Sequence, residues 1–214
     1  MAKTPFGILG AFIGKIGPVI GKTWKGIPVV TAARQPSKRD KDPTPEQDTQ
    51  RTKFGFTSHF LKGLGPLVKK TFREPAIGLT EFQCAVSYNF CNAVSQDDND
   101  FRLHYELVSL SRGTLPNAVL PEAKAAGEGN IHFMWADNTG IGLAAAADMA
   151  IVVAYHAPSR RWLYKREPEG KRSDCSVDLA LPALKGEAVH TWLTFVSDSG
   201  RAADSVYTGV ITLI

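Results

Sequence analysis

Six glycines fall within the first 26 residues, at positions 7, 10, 14, 17, 21 and 26, with short apolar and β-branched pieces between them. The pieces are Gly7-Ile-Leu-Gly10, Phe12-Ile-Gly-Lys-Ile-Gly17, Val19-Ile-Gly-Lys-Thr-Trp-Lys-Gly26 and Ile27-Pro-Val-Val-Thr31. β-Branched residues favour strands, and glycine and proline mark turns or bulges. The spacing predicts an extended, turn-punctuated arm over residues 1–35. Such an arm buries too little surface to hold itself together in water. It is expected to pack on the rest of the chain or on a neighbouring molecule.

The whole chain, 214 residues at 43% hydrophobic and 21% charged, has the composition of a globular protein. Its longest apolar runs, Ile141 to Ala147 and Met149 to Tyr155, fall far short of the ~20 residues of a membrane span. Gly7, Gly10, Gly14 and Gly17 interrupt the start, so no secretory signal is read there. The expected location is the cytoplasm or a released assembly. Three cysteines, Cys84, Cys91 and Cys175, form no Cys-x-x-Cys motif. On a helix, Cys84 and Cys91 stand about 10 Å apart along the axis, too far to bridge. They read as buried thiols in a reduced compartment. Charge is uneven: residues 1–75 hold 14 Lys/Arg and 5 Asp/Glu, a net of +9, whereas residues 76–214 hold 11 and 16, a net of −5. Such an imbalance suits a nucleic-acid arm. It suits equally the docking of one copy's basic part on another copy's acidic part.

Residues 35–43 are a charged linker, and a helix is predicted to follow. Thr44 is its N-cap, Pro45 its first residue, and Gln47 stands at the capping-box position. Phe54, Phe56, Phe60, Leu61 and Leu64 form an apolar stripe, ended or kinked by Gly63 and Gly65-Pro66. A shorter turn over Leu67 to Phe72 follows. Thr80, with Gln83 three residues on, starts another helix, whose buried face is predicted to be Phe82, Val86, Phe90 and Val94. From Phe101 the period switches to two, and a strand is expected from Phe101 to Val108. Further strands are expected at Asn130–Ala136, Asp148–His156, Arg161–Lys165, Ser173–Leu181, Ala188–Ser197 and Ser205–Leu213. Short strands, polar turns and Trp135 in an early strand indicate a sandwich of the immunoglobulin or fibronectin type. The fold class is therefore α+β: a Gly-rich β-arm and linker (1–42), a helical segment (43–98) and a β-sandwich (99–214).

The pattern resembles a family of uncharacterised proteins common in Bacteroidota and known only as a domain of unknown function. The matching stretches are Gly7 to Gly26, Pro43 to Phe54, Phe82 to Asn89, Leu110 to Pro116, Trp135 to Gly140 and Phe195 to Gly200. Where that family usually reads Asn-Pro before the Thr-Pro helix start, this chain has Asp42-Pro43. Val29-Val30-Thr31 stands where an aromatic residue and an arginine are usual. The resemblance implies no activity. The Gly-x-x-Gly-x-x-Val hairpin and Thr-Pro-x-Gln helix start also look like small proteins found near phage and prophage genes.

Chemistry-bearing residues are sparse. Gly21-Lys22-Thr23 matches the end of a phosphate-binding loop, but Ile16 stands where that motif needs its first glycine. His59, His104, His132, His156 and His190 are scattered, with no i, i+4 pair; His132 and His190 fall on expected strands, and the histidines read as satisfied surface or rim residues. Cys84 has no nucleophile motif around it. Asp97, Asp98 and Asp100 lack the glycine and terminal glutamate of a calcium loop. No catalytic residue, metal or cofactor is expected, and the chain is not read as an enzyme. The arm is expected to wedge Phe12, Ile16, Val19, Ile20 and Trp24 into another copy, giving a self-assembling structural subunit of a filament, virion or appendage. The alternative is nucleic-acid binding through Lys15, Lys22, Lys25, Lys38 and Arg39, with Arg34 and Lys41 nearby and Phe12 and Trp24 interleaved.

Overall fold

In the computed structural model the described residues are 3, 4, 7, 10–33, 43–97, 100–165, 167 and 169–214. The chain divides into two units, Met1–Thr44 and Pro45–Ile214.

In the first unit, strands β1 (Gly14–Ile16), β2 (Val19–Trp24) and β3 (Ile27–Ala32) form an antiparallel meander in that order. Two-residue turns join them. Lys25 and Gly26 both have positive φ, 48° and 81°, as the primed hairpin turns require. Gly21 is required by close packing: a Cβ there would lie 2.1 Å from the Phe12 carbonyl oxygen and 2.6 Å from its ring.

The second unit begins with α1 (Pro45–Leu61), a 3-10 turn (Lys62–Leu64) and α2 (Gly65–Thr71). The break at Gly63 and Gly65-Pro66 follows the sequence expectation. It also serves packing: a Cβ at Gly63 would lie 3.0 Å from the Trp162 ring. Trp162 Nε1 donates to the Phe60 carbonyl at 2.7 Å, so the break seats a strand residue against the helix end. α3 (Glu81–Asn92) starts with the expected box: Gln83 N donates to Thr80 Oγ1 at 3.2 Å and Thr80 N donates to Gln83 Oε1 at 3.0 Å.

The buried face of α3 differs from the expected one. It is Ala85, Val86 and Asn89. Phe82 and Phe90 are only partly buried, with the Lys53 ammonium 4.5 Å over the Phe90 ring. Val94 belongs to the next strand. Asn89 enters the core because its amide is satisfied there, donating to the Ala85 and Ser109 carbonyls and accepting from Ser109 N.

A hairpin follows, β4 (Val94–Asp97) with β5 (Asp100–Leu103). The expected strand from Phe101 to Val108 is therefore cut short. Tyr105–Leu107 form a 3-10 turn instead, and the Tyr105 ring stacks on His190 with centroids 3.6 Å apart.

Two antiparallel sheets complete the unit. One has the order β11 (Ser176–Ala180), β7 (Asn130–Ala136), β6 (Val119–Ala125). The other centres on β8 (Met149–His156) and β12 (Ala188–Val196), with β13 (Val206–Thr212) beside β12, and β9 (Arg161–Tyr164) and β10 (Gly170–Lys171) both along the far side of β8. β11 starts later than expected because Arg172–Asp174 form a 3-10 turn and Cys175 is left-handed at φ 58°. β6 and β10 were not expected. β6 contains Pro121, a bulge between Val119 and Glu122, and a left-handed Leu120 at φ 47°.

The sheets face each other across one apolar layer, in which Ile131, Phe133 and Trp135 meet Ala150, Val152, Leu193 and Phe195. On the other side of the five-stranded sheet, Phe60, Leu61, Leu64, Val68, Phe72 and Val86 of the helical layer pack on Ile151, Val153, Tyr155 and Trp192. The class is α+β, with a sandwich whose one sheet also carries the helices. β8 is thus buried on both faces, which is why it reads as an unbroken apolar run.

One arginine ties the sandwich end together. Arg172 is fully buried. Its Nε lies 3.1 Å from Asp148 Oδ2, Nη1 donates to Asn138 Oδ1 at 2.7 Å, and Nη2 donates to the Pro116 carbonyl at 3.1 Å. Its guanidinium sits 3.9 Å over the Phe195 ring, and its carbonyl accepts from Trp135 Nε1 at 2.8 Å. Removing one member of a buried pair strands the other charge. Asp148→Ala should therefore lower the unfolding free energy by about 3–5 kcal/mol in urea titrations. Asp148→Ala with Arg172→Met should cost less than Asp148→Ala alone.

His190 generates a second prediction. Its Nδ1 is 2.8 Å from Tyr207 Oη, and it lies between Tyr105, Tyr207 and Trp192. Burial holds its pKa below the ordinary 6.5, against the opposing charge of Glu106. The unfolded chain then binds the proton more readily, so this contribution to stability is full above pH 6.5 and is lost as pH falls through the lowered pKa. The midpoint of thermal unfolding should drop between pH 7 and pH 5, and His190→Gln should flatten that drop.

Candidate assembly surface

Strand alternation and register sort the arm into two faces. Pairing of Ile16 with Val19, Gly21 with Gly14 and Val30, and Val19 with Ala32 puts Phe12, Ile16, Val19 and Val30 on one face. Pairing of Lys15 with Ile20, Lys22 with Val29, and Trp24 with Ile27 puts Ile13, Lys15, Ile20, Lys22, Trp24, Ile27 and Val29 on the other. The five residues expected at the interface are therefore not one surface: Phe12, Ile16 and Val19 stand on the first face, Ile20 and Trp24 on the second. Phe12, Val19 and Ile20 are half-buried. Ile16 and Trp24 are 49% and 41% exposed.

Sequence reasoning missed Ile27 and Val30, which are 64% and 59% exposed. Their place follows only once the Lys25-Gly26 turn fixes which residue of β3 faces which of β2. Each face mixes large apolar side chains with few polar ones, whereas a solvated sheet face carries alternate polar residues.

Of the expected cations, Lys15 and Lys22 share the face of Trp24, and Lys25 sits in the left-handed turn. Lys38 and Arg39, with Arg34 and Lys41, lie outside the described residues. Gly21-Lys22-Thr23 is the middle of β2 and opens no helix, so it does not have the geometry of a phosphate-binding loop.

The remaining candidates in the second unit stay apart. His132 lies on the outer face of the three-stranded sheet, with Nδ1 2.5 Å from Asp178 Oδ1. His190 faces the helical side of the five-stranded sheet, so the two histidines do not meet, and each is satisfied locally, His132 by Asp178 and His190 by Tyr207. Cys84, Cys91 and Cys175 form no disulfide among the described residues, and they are not the buried thiols expected: Cys91 is exposed, Cys84 and Cys175 are half-buried, and the Cys84 thiol donates to the Pro75 carbonyl at 3.6 Å. Among the described residues, no group of three or more His, Cys, Asp or Glu side chains is placed to hold a metal. Nor, among them, is any helix long and apolar enough to cross a membrane.

A search of curated proteins finds no match to the chain. A family model does match it, from Ala11 ahead of β1 to Gly209 in β13, and so takes in the meander, the helices and both sheets. With nearly all of its length inside that match, the chain belongs to the family described as a family of unknown function (DUF6266).

Proposed function

We propose that the chain is a non-catalytic structural subunit that assembles with copies of itself through the β1–β3 sheet, in a filament, virion or appendage. One observation carries the reading. The meander bears large apolar side chains on both faces, and a free-standing sheet of three strands buries too little to leave both faces in water. Covering them with a second copy removes exposed Ile16, Val30, Trp24 and Ile27 from solvent at once. Addition of a strand at an edge of the meander would also satisfy its backbone groups. The charge balance favours the same partner. Residues 1–44 hold 8 Lys/Arg and 2 Asp/Glu, a net of +6, and residues 45–214 hold 17 and 19, a net of −2, so the first unit of one copy and the second unit of another attract each other. The reading places the protein in the cytoplasm or in a released assembly.

Nucleic-acid binding is the second reading, favoured by the shared face of Lys15, Lys22 and Trp24. Two cations beside an exposed indole suit a phosphate backbone with a stacked base.

Light scattering on the purified chain should show oligomers that grow with concentration. Ile16→Ser with Val30→Ser, or Trp24→Ser with Ile27→Ser, should return them to monomers while the main melting transition stays in place. A wild-type chain that is monomeric throughout would remove the assembly reading. Single-stranded DNA affinity that falls steeply with salt, by about 0.7 logarithmic units per phosphate contact for each tenfold rise in salt, and that survives Ile16→Ser with Val30→Ser would favour the second.

A further inference from the structure

A groove of about 640 Å³ opens in the Pro45–Ile214 unit where three remote segments meet. α1 contributes Phe56 and Phe60, β5 and the turn after it contribute Phe101 and Tyr105, and β8 contributes Tyr155. Their rings pack on one another. Phe56 and Phe101 are 6.1 Å apart between centroids, Phe60 and Tyr155 5.1 Å, and Tyr105 and Tyr155 5.9 Å. A hollow of this size, walled mainly by apolar rings with a few polar groups, has the form of a small-molecule site.

The polar group that decides its chemistry is Arg160. It also lines the hollow, at the end of the four-residue turn joining β8 to β9, where its N–H donates to the Ala157 carbonyl at 3.2 Å. Its φ is 53°, the left-handed region in which glycine is unstrained and a residue with a Cβ is not. Among the described residues its guanidinium makes no ion pair. Burial and the neighbouring Tyr105 raise the Tyr155 hydroxyl pKa, and the Arg160 charge opposes that rise, so the cation acts on the hollow. A turn built on glycine would be less strained here, and the arginine leaves a charge beside aromatic walls instead.

We propose that this groove binds a small aromatic monoanion, with its ring among Phe60, Phe101 and Tyr155 and its acidic group against the Arg160 guanidinium. Aromatic walls favour an aromatic guest through offset and edge contacts. The planar donor fork of arginine matches a carboxylate or sulfonate. Asp100, the first residue of β5, lines the same hollow, and its carboxylate disfavours a guest carrying more than one negative charge, which sets monoanions ahead of dianions. His59 of α1 adds a further hydrogen-bonding group.

Naphthalene-2-sulfonate and its uncharged counterpart naphthalene-2-sulfonamide, titrated calorimetrically into the full-length chain, test the proposal. The sulfonate should bind one per chain, and about tenfold more tightly than the sulfonamide. Arg160→Gly, which relieves the left-handed backbone, should bring the sulfonate down to the affinity of the sulfonamide. Phe101→Ala, in the half-exposed hairpin, should weaken both probes and serves as the second variant should Arg160→Gly not fold. Lys185→Ala, which removes an exposed cation of the same unit outside the hollow, should leave both affinities unchanged. Absence of sulfonate binding by the wild type, equal sulfonate affinity in Arg160→Gly, or loss of binding in Lys185→Ala would each overturn it.

Discussion

β8 has no face toward water, and the Pro45–Ile214 unit is organised around that constraint. Ala150, Val152 and Ala154 fill the layer between the sheets, and Ile151, Val153 and Tyr155 take up the helices. Small residues on the first side let the sheets approach closely, and larger ones on the second fill the space beneath α1 and α2. β12 repeats the division, with Leu193 and Phe195 on one side and Trp192 on the other. Burying both faces of a strand removes apolar area twice over, at about 25 cal/mol per Å². The cost is that neither side can be altered without the other noticing, because interiors are close-packed.

A buried charge sits beside this apolar centre. Arg172 draws together Pro116, Asn138, Asp148 and the Phe195 ring. It fixes the loops that precede β6 and β8 relative to the turn before β11. Its partners are four separate stretches of chain, so it acts as a register pin for the end of the sandwich. Hydrophobic contact alone sets no such register, since apolar packing is not directional.

Local signals were readable from the residues, and distant ones were not. The Thr80–Gln83 box needs only four consecutive residues, and it formed as expected. β7 obeys its own alternation, and its bounds matched. The α3 face went astray at Asn89, whose burial depends on Ser109 across a loop. The strand after Phe101 stopped early because Tyr105 is engaged by His190 from β12. Arg172, within Lys-Arg-Ser-Asp, reads as solvated until its three remote acceptors are in place. The arm was legible as strands and turns. The division of its apolar residues between two faces was not, because it depends on the register set at Lys25-Gly26. The aromatic groove had no signature at all, since its walls come from three segments far apart in sequence.

The two-sided burial of β8 also fixes how finely the protein can be cut. A fragment beginning near residue 99 would keep every strand of both sheets, yet it would leave Ile151, Val153, Tyr155 and Trp192 bare. Such a surface invites clumping in place of folding. The helices are in that sense the lid of the sandwich, and the shortest autonomous piece of this chain has to start ahead of α1.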